Sequence, residues 1–324
     1  MKTVKTVLVT GGAGFIGTNL CETLLEQNHR VICLDNFFTG SWENIAPLQE
    51  NKNFSVIEHD ICIPIDLKNI DEIYNIACPA SPIHYQKDPL FTIKTSVFGA
   101  FNMLELARKN NAKILQTSTS EVYGDPIIHP QPESYWGNVN PIGPRACYDE
   151  SKRCAETIFT NYIHKYSLEV KIARIFNTYG PKMQANDGRV VSNFVIQALQ
   201  NQDLSVYGTG NQTRSFCFIS DLVDGLIKLM ATDKDCSGPI NLGNPNEFTI
   251  MELAKMIIEL VGGTTHIAFH NLPIDDPKQR RPDITLANTK LNWQPQVELR
   301  DGLKRTIEYF ANKLSLHNGT HDGF

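Results

Sequence analysis

The chain has 324 residues, of which 41% are hydrophobic and 20% are charged, and its formal net charge is −5. This ordinary globular composition excludes a disordered or fibrous chain. The mild charge, without a long basic run, gives no electrostatic reason to expect a nucleic-acid partner. The apolar runs are shorter than the roughly 20 residues that span a bilayer, so we expect no membrane partner.

The eight cysteines are scattered along the chain without a CxxC pair. A chain of this length needs no disulfide framework, so we expect free thiols and a cytoplasmic location. The pairs His266/His270 and His317/His321 lack a third ligand at a recognised spacing, so we expect no metal. A strand follows soon after the first residues, so we predict no secretory leader.

The elements begin with a strand, a glycine-rich turn, a helix from Phe15 to about His29 and a second strand, which is a βαβ unit. Further apolar runs, separated by segments long enough for helices, predict parallel strands with right-handed crossovers. The predicted strands are Val7 to Thr10, Val31 to Leu34, Val56-Ile57, Ile73 to Ala77, Ile114 to Thr117 and Val170 to Ile175. We therefore predict an α/β fold with a Rossmann-type doubly wound parallel sheet.

The pattern changes after Gly180-Pro181 to shorter elements with Gly and Pro breaks. Helical periodicity returns at Met251 to Val261 and at Leu303 to Leu314. We predict a smaller C-terminal substrate lobe that is partly interleaved with the Rossmann domain. The predicted boundaries are 1-180 for the Rossmann domain, with a returning segment near 215-243; 181-214 and 244-316 for the lobe; and 317-324 for a frayed tail.

The sequence GGAGFIG, from Gly11 to Gly17, follows the first strand and opens the first helix. Glycines at these spacings permit a tight turn and let the backbone approach a pyrophosphate at the helix N-terminus. Asp35 ends the next strand, where a carboxylate can accept hydrogen bonds from the adenosine ribose and would repel a 2′-phosphate. The combination predicts NAD as cofactor rather than NADP.

Asp60, after the third predicted strand, can lie beside the adenine or cap a turn, and the sequence favours neither. The predicted cofactor-binding residues are Gly11, Gly14, Phe15, Ile16, Gly17, Asp35, Asn36, Asp60, Ile61, Ala77, Tyr148 and Lys152.

Tyr148 and Lys152 stand four residues apart, so they share one face of a helix. A free phenol has a pKa of about 10, and a nearby ammonium lowers it toward the working range of a base. The hydroxyl-rich segment TSTSEVYG, from Thr117 to Gly124, follows a predicted strand at the sheet edge where ligands bind. These features predict that Tyr148 removes a hydroxyl proton and that Lys152 also holds the nicotinamide ribose.

The glycine turn, the hydroxyl-rich segment and the Tyr-x-x-x-Lys pair resemble the extended short-chain dehydrogenase/reductase family, whose members oxidise and reshape sugar nucleotides. The resemblance covers essentially the whole chain. Within that family, four segments resemble the UDP-glucuronate decarboxylases: CPASPIHY from Cys78, TSEVYG from Thr119, YWGNVNPIG from Tyr135 and RVVSNF from Arg189.

That resemblance implies NAD-dependent decarboxylation of UDP-glucuronate to UDP-xylose through a UDP-4-keto intermediate, with NAD regenerated in each turnover. It also implies a homodimer, formed by helices near Leu90 to Lys109 and Tyr148 to Lys165. The residues it implies for catalysis are Thr119, Tyr148 and Lys152 for the redox step, and Glu121 and Arg280 for decarboxylation and protonation. The residues it implies for binding the UDP-sugar are Tyr85, Ser120, Asn177, Arg189, Tyr207, Arg214 and Arg280.

One position departs from the family pattern. Members usually have an asparagine where this chain has Ser96. A serine hydroxyl has a shorter reach, so Ser96 is not carried over as a site residue.

Several alternatives share the first oxidation. A dTDP-glucose 4,6-dehydratase expects an aspartate at the position of Ser120, and a 4-epimerase has no use for Glu121 as an acid or base. An enzyme that stops at the 4-ketopentose and releases NADH would use the same residues. A non-enzymatic NAD sensor would need the glycine fingerprint alone. The sequence also leaves open whether Arg280 or a water ordered by Glu121 protonates carbon 5.

Overall fold

A computed structural model describes residues 4–185, 187–271 and 279–319, without the side chains of 316–319. The strands are β1 (Thr6–Thr10), β2 (Arg30–Asp35), β3 (Phe54–Glu58), β4 (Glu72–Asn75), β5 (Lys113–Thr119), β6 (Val170–Ile175), β7 (Thr178–Tyr179), β8 (Leu204–Tyr207), β9 (Thr213–Ser215), β10 (Cys217–Phe218), β11 (Ile240–Leu242), β12 (Glu247–Thr249) and β13 (Ile267–His270). The α-helices are α1 (Phe15–Glu26), α2 (Trp42–Ile45), α3 (Pro82–Tyr85), α4 (Pro89–Asn110), α5 (Ala146–Tyr166), α6 (Val190–Leu199), α7 (Ile219–Ala231), α8 (Ile250–Val261), α9 (Thr285–Leu291) and α10 (Leu299–Gly319).

The main sheet has seven parallel strands in the order β11-β6-β5-β4-β1-β2-β3. Strand β1 pairs with β2 on one side and with β4 on the other, so the chain reverses its direction across the sheet there. A cleft opens at such a switch point, beyond the carboxyl ends of the strands. The predicted Rossmann-type fold is confirmed.

Helices cover both faces of this sheet. On one face α1 packs against α7, with Leu20 and Leu226 in their shared core. On the other face α4 packs against α5, with Met103 and Phe159 buried. Burial on both faces explains why the strands have continuous apolar runs instead of alternating ones.

Two predicted boundaries were too long. Helix α1 ends at Glu26 rather than near His29, because Asn28 has a φ of 64°, which a right-handed helix does not accept. Strand β4 ends at Asn75, since the backbone amide of Ala77 donates to the Thr10 hydroxyl, 3.2 Å away, and leaves the ladder.

The smaller elements after β6 form three short pairs of strands: β7 with β10, β8 with β13, and β9 with β12. Helices α6, α8 and α10 pack together beside them. Strand β11 then returns to the main sheet beside β6. The backbone stays helical to Gly319, where we expected fraying from 317, and residues 320–324 of the expected tail lie outside the described residues.

None of the helices within the described ranges is both long and apolar enough to cross a membrane. All eight cysteines are free thiols.

Candidate active site

A cleft of about 630 Å³ lies at the carboxyl ends of the sheet strands, and every predicted site residue lines it. Those predicted to bind the cofactor are Gly11, Gly14, Phe15, Ile16, Gly17, Asp35, Asn36, Asp60, Ile61 and Ala77. Those predicted for catalysis or for binding the sugar nucleotide are Tyr85, Thr119, Ser120, Glu121, Tyr148, Lys152, Asn177, Arg189, Tyr207, Arg214 and Arg280. The fold therefore collects residues from 11 to 280 around one space.

The glycine turn leaves no room for side chains. Gly11 has a φ of +68°, and a Cβ there would lie 2.9 Å from the Cα of Ala77. A Cβ on Gly17 would lie 2.0 Å from the carbonyl oxygen of Gly11. Gly14 caps α1 without a side-chain hydrogen bond, so the first amides of this 12-residue helix face the cleft uncapped by a side chain. This cradle fits a pyrophosphate.

Asp35 ends β2 at the rim of the same cradle and is buried. Its Oδ2 accepts a hydrogen bond from Ala13 N at 2.9 Å, and its Oδ1 accepts one from Phe37 N at 2.9 Å. Burial raises the pKa of Asp35, while these amide hydrogen bonds oppose the rise. Each oxygen keeps a second lone pair for a ribose hydroxyl.

Asp60 and Asn36 both cap turns that line the cleft. Asp60 Oδ1 accepts from Cys62 N at 2.8 Å, and Asn36 Oδ1 accepts from Phe38 N at 3.1 Å. Of the two alternatives for Asp60, turn capping is the one that its hydrogen bond shows, although the residue also lines the cleft.

Helix α5 brings Tyr148 and Lys152 to one buried face. The Lys152 ammonium lies 5.9 Å from the centre of the Tyr148 ring and donates to the Thr117 carbonyl at 2.9 Å. Burial raises the pKa of Tyr148 and outweighs the hydrogen bond with Thr119, which lowers it. The expected lowering of this pKa by Lys152 is therefore wrong for the chain by itself, because desolvation dominates.

Tyr85 lies against Tyr148, with ring centroids 5.0 Å apart and planes 6° from parallel. Its side chain is 1% exposed, and its hydroxyl has no hydrogen-bond partner among the described residues. A buried hydroxyl without a partner is costly, so this one fits a contact with a polar ligand in the cleft.

Strand β5 delivers the hydroxyl-rich segment to the cleft and ends at Thr119. A 3₁₀ turn, Ser120–Tyr123, follows, and the Thr119 hydroxyl accepts from Glu121 N at 3.2 Å. This cap turns the chain sharply, so Thr119, Ser120 and Glu121 all face the same space.

Glu121 lies between two arginines. Arg280 Nη1 is 3.1 Å from Glu121 Oε1, and Arg145 Nη2 pairs with Glu121 Oε2. Burial on its own would raise the pKa of Glu121, but the charges of Arg280 and Arg145 outweigh it and lower this pKa to about 2. Glu121 is therefore a carboxylate at neutral pH.

The Arg280 side chain is only 2% exposed. Its Nη1 donates to the Ser120 hydroxyl at 3.0 Å, and its Nη2 donates to the Gly124 carbonyl at 3.0 Å. Its Nε has no partner among the described residues. A planar guanidinium fixed in this way can present a donor to a carboxylate or to an oxyanion in the cleft.

Arg145 is the site residue that our sequence prediction missed. It immediately precedes α5, one turn before Tyr148, and it lines the cleft. A basic residue three positions before the tyrosine was the only signal, and nothing in the sequence linked it to Glu121. Ser96, in contrast, lies behind the cleft wall, with its hydroxyl 3.2 Å from the Cys78 thiol.

The C-terminal elements supply the other end of the cleft. Arg189 precedes α6 and pairs with Asp187 at 3.3 Å, and Arg214 lies on β9 and donates to the Thr213 carbonyl at 2.9 Å. Tyr207 ends β8 with 45% of its surface exposed. Two arginines and an aromatic ring suit a diphosphate and a flat base.

The described part of the chain contains no group of three His, Cys, Asp or Glu side chains placed to hold a metal.

Comparisons with known proteins show the family of the chain. The model of the GDP-mannose 4,6 dehydratase family matches residues 8–306. The chain is 54% identical to UDP-glucuronic acid decarboxylase 5 of Arabidopsis thaliana over 312 residues, which cover 96% of this chain and 91% of the relative. It is 52% identical to UDP-glucuronic acid decarboxylase 1 of Danio rerio over 96% of this chain and 73% of the relative.

Among solved structures, the UDP-glucuronic acid 4-epimerase of Bacillus cereus, in complex with UDP-glucuronic acid and NAD, has a TM-score of 0.85 and 29% identity. The match covers 95% of this chain and 99% of that one. The chain therefore belongs to the GDP-mannose 4,6 dehydratase family of extended short-chain dehydrogenase/reductases and, within it, to the UDP-glucuronic acid decarboxylases.

Proposed function

We propose that this chain converts UDP-glucuronate to UDP-xylose and carbon dioxide through a UDP-4-keto intermediate, with NAD regenerated in each turnover. One observation carries the proposal. Two guanidinium groups, of Arg145 and Arg280, flank the ionised Glu121 beside the Thr119–Tyr148 pair. A C4 hydroxyl at that pair would place the neighbouring C5 carboxylate within reach of the arginines.

The cofactor cradle fits NAD. The tight turn from Gly11 to Gly17 and the N-terminus of α1 would hold the pyrophosphate, and Asp35 would accept from the adenosine ribose. Asn36, Asp60 and Ile61 would surround the adenine. The other residues that would contact NAD are Phe15, Ile16, Ala77, Tyr148 and Lys152. NAD, when bound, supplies the acceptor for the hydride of carbon 4 and a positively charged ring that favours a phenolate.

Tyr148 and Thr119 manage the proton of the C4 hydroxyl. The Tyr148 oxygen takes this proton during oxidation, and Thr119 and Lys152 orient the reacting groups. The resulting ketone is β to the carboxylate, so carbon dioxide can leave as its bonding electrons move into an enolate. Hydroxyl donors at Tyr148 and Thr119 stabilise the enolate oxygen.

Glu121 itself holds no proton to give, since the arginines lower its pKa to about 2. The proton that reaches carbon 5 comes from a water that Glu121 orients or from Arg280. The bound cofactor would also supply the hydride that restores carbon 4, and Tyr148 returns the proton to the oxygen on carbon 4.

We assign the rest of the cleft to the substrate. Arg189, Tyr207 and Arg214 would hold the UDP, and Asn177 and Tyr85 would contact the sugar; Ser120 would orient Arg280 and the sugar together. Ser120 occupies the position where a dehydratase expects an acid, and it accepts from Arg280 at 3.0 Å. This arrangement favours loss of carbon dioxide over loss of water.

We also propose a cytoplasmic homodimer. The paired helices α4 and α5 expose large apolar side chains, with Leu90 at 68% and Phe98 at 52% exposure, which supports burial against a second copy. The eight free thiols support a reducing compartment.

We propose the same division into domains as the sequence predicts. The Rossmann domain comprises 1-180 and the returning segment near 215-243, and the substrate lobe comprises 181-214 and 244-316.

The proposal is tested by incubating the purified protein with UDP-glucuronate and NAD in deuterated water. We expect carbon dioxide, UDP-xylose with one deuterium at carbon 5, and no net NADH. Accumulation of NADH with a 4-ketopentose would identify an enzyme that stops early. Turnover of a dTDP- or UDP-hexose without release of carbon dioxide would refute the proposal.

Glu121→Gln supplies a second test. The variant should bind the nucleotide sugar nearly as well as the wild type but release carbon dioxide slowly, because a neutral amide orients the water less strongly. Loss of binding instead would contradict the role given to Glu121.

A further inference from the structure

The loop from Gly124 to Arg145 connects two partners of the Glu121 and Arg280 pair. It leaves the 3₁₀ turn at Gly124, whose carbonyl accepts from Arg280, and it returns at Arg145, which pairs with Glu121. In the middle of this loop stands Gln131, which is 0% exposed.

Gln131 holds the backbone immediately after Arg280 with three hydrogen bonds. Gln131 N donates to Arg281 O at 2.9 Å, and Asp283 N donates to Gln131 O at 3.0 Å. The side-chain oxygen of Gln131 accepts from Arg281 N at 2.9 Å. The two backbone bonds form an isolated parallel bridge between Gln131 and Pro282, and the side-chain bond reinforces it.

The other end of the same side chain is also fixed. Gln131 Nε2 donates to the Ile128 carbonyl at 2.8 Å. Asn241 donates to the Gln131 carbonyl at 2.9 Å and to the Asp283 carbonyl at 3.0 Å, and it accepts from the Tyr123 hydroxyl at 2.8 Å. The bridge is therefore tied to the turn that carries Glu121.

We propose that Gln131 is a positioning residue that holds Arg280 against Glu121 for the decarboxylation step. This inference rests on the proposed function. Ser120, Glu121 and Gly124 hold the guanidinium group of Arg280, whereas its backbone carbonyl accepts a single 3.3 Å hydrogen bond, from the Ser215 hydroxyl, among the described residues. A guanidinium displaced by about 1 Å can lose roughly a hundredfold in rate, so the clamp controls the chemistry without touching the substrate.

The test compares Gln131→Met, which keeps the length of the side chain but removes its three hydrogen bonds, with the matched control Asn110→Leu. Asn110 also clamps backbone, accepting from Ile70 N at 3.2 Å and donating to the Leu67 carbonyl at 2.8 Å, but at the opposite edge of the sheet. Both variants should lose similar thermal stability. Only Gln131→Met should lower kcat for carbon dioxide release, by roughly 10- to 100-fold, with a smaller rise in KM.

A double-mutant cycle with Arg280→Lys shows whether Gln131 acts through Arg280. We expect Gln131→Met to slow the wild type but to cause no further loss in the Arg280→Lys background. If the rate losses of the two substitutions multiply, or if Gln131→Met keeps the wild-type kcat, the positioning role of Gln131 is refuted. The proposed function would still stand. A wild type that releases no carbon dioxide would refute the proposed function.

Hydrogen exchange of the peptide that contains Arg281 gives a readout independent of activity. In Gln131→Met the Arg281 amide should exchange faster, and in Gln131→Glu, which keeps an acceptor oxygen, it should stay slow. Unchanged exchange in Gln131→Met would overturn the proposal. If Gln131→Met does not fold, activity is compared between Gln131→Glu and Gln131→Ala instead. Gln131→Glu should retain more activity, because it keeps the oxygen that accepts from the Arg281 amide.

Discussion

Arg145 and Glu121 form an ion pair in which the side chains are only 16% and 17% exposed. The pair joins the residue that precedes α5 to the turn that follows β5. It is the second cationic contact of Glu121, after Arg280. Two cations around one buried carboxylate hold it ionised.

Arg145→Met should both destabilise the protein and stop decarboxylation. Glu121 would lose one charged hydrogen-bond partner and keep Arg280, which costs about 2 kcal/mol. The measurement is denaturant unfolding together with carbon dioxide release. Arg108→Met, which breaks an exposed pair with Glu105, is the control and should change neither. Equal stability of the two variants would contradict the buried pair.

Tyr148→Phe should abolish oxidation of the sugar, with a loss of roughly 10²- to 10⁴-fold, because the proton acceptor is removed. Tyr85→Phe is the matched change on the stacked neighbouring ring. It should leave thermal stability unchanged or higher, since the lost hydroxyl has no partner among the described residues, and it should raise KM for UDP-glucuronate. Initial rates and thermal melts separate the two. An active Tyr148→Phe would remove Tyr148 from the mechanism.

Asp149 should make stability fall as the pH rises. Burial, and then the charge of Glu121, raise the pKa of Asp149 from 3.8 to about 7, and its Oδ1 has no partner among the described residues. The folded protein therefore binds this proton more tightly than the unfolded chain does. Below pH 3.8 Asp149 is protonated in both states and does not change the free energy of unfolding. Between pH 3.8 and about 7 it lowers the free energy of unfolding increasingly as the pH rises.

Asp149→Asn should therefore raise the melting temperature at about pH 8 but not at about pH 4, by roughly 2 to 4 °C for each kcal/mol gained. Asp224→Asn, on the exposed side of α7, is the control and should change little at either pH. A gain for Asp149→Asn that is equal at both pH values would argue against a raised pKa.

Gly17→Ala should lose NAD. The added Cβ would lie 2.0 Å from the Gly11 carbonyl and 2.7 Å from Gly12 Cα, so the turn must open, at a cost of roughly 1–3 kcal/mol. Gly263→Ala adds the same methyl group where the nearest atom is 3.6 Å away, and it should bind NAD normally. Calorimetric titration with NAD measures both. Equal affinities would mean that the turn does not form the pyrophosphate site.

Local pattern was sufficient to predict the Rossmann half of the fold. Glycine spacing, apolar runs and the Tyr148–Lys152 spacing depend on a few consecutive residues, and the strands they predicted are present with small shifts in their ends. The boundary errors also have local causes, namely the φ of Asn28 and the Thr10 hydroxyl that ends β4. The alternatives for Asp60 were indistinguishable because a strand-end aspartate serves both.

The sequence by itself determined the sheet, the dinucleotide cradle and the family, since these follow from short-range periodicity and from motifs. Only the tertiary structure decided the charge state of the site. Arg280 reaches Glu121 across 159 residues, and burial raises the pKa of Tyr148 where spacing to Lys152 predicted a lower one. Desolvation and charge pairing depend on every neighbour in space, so a pattern along the chain does not contain them.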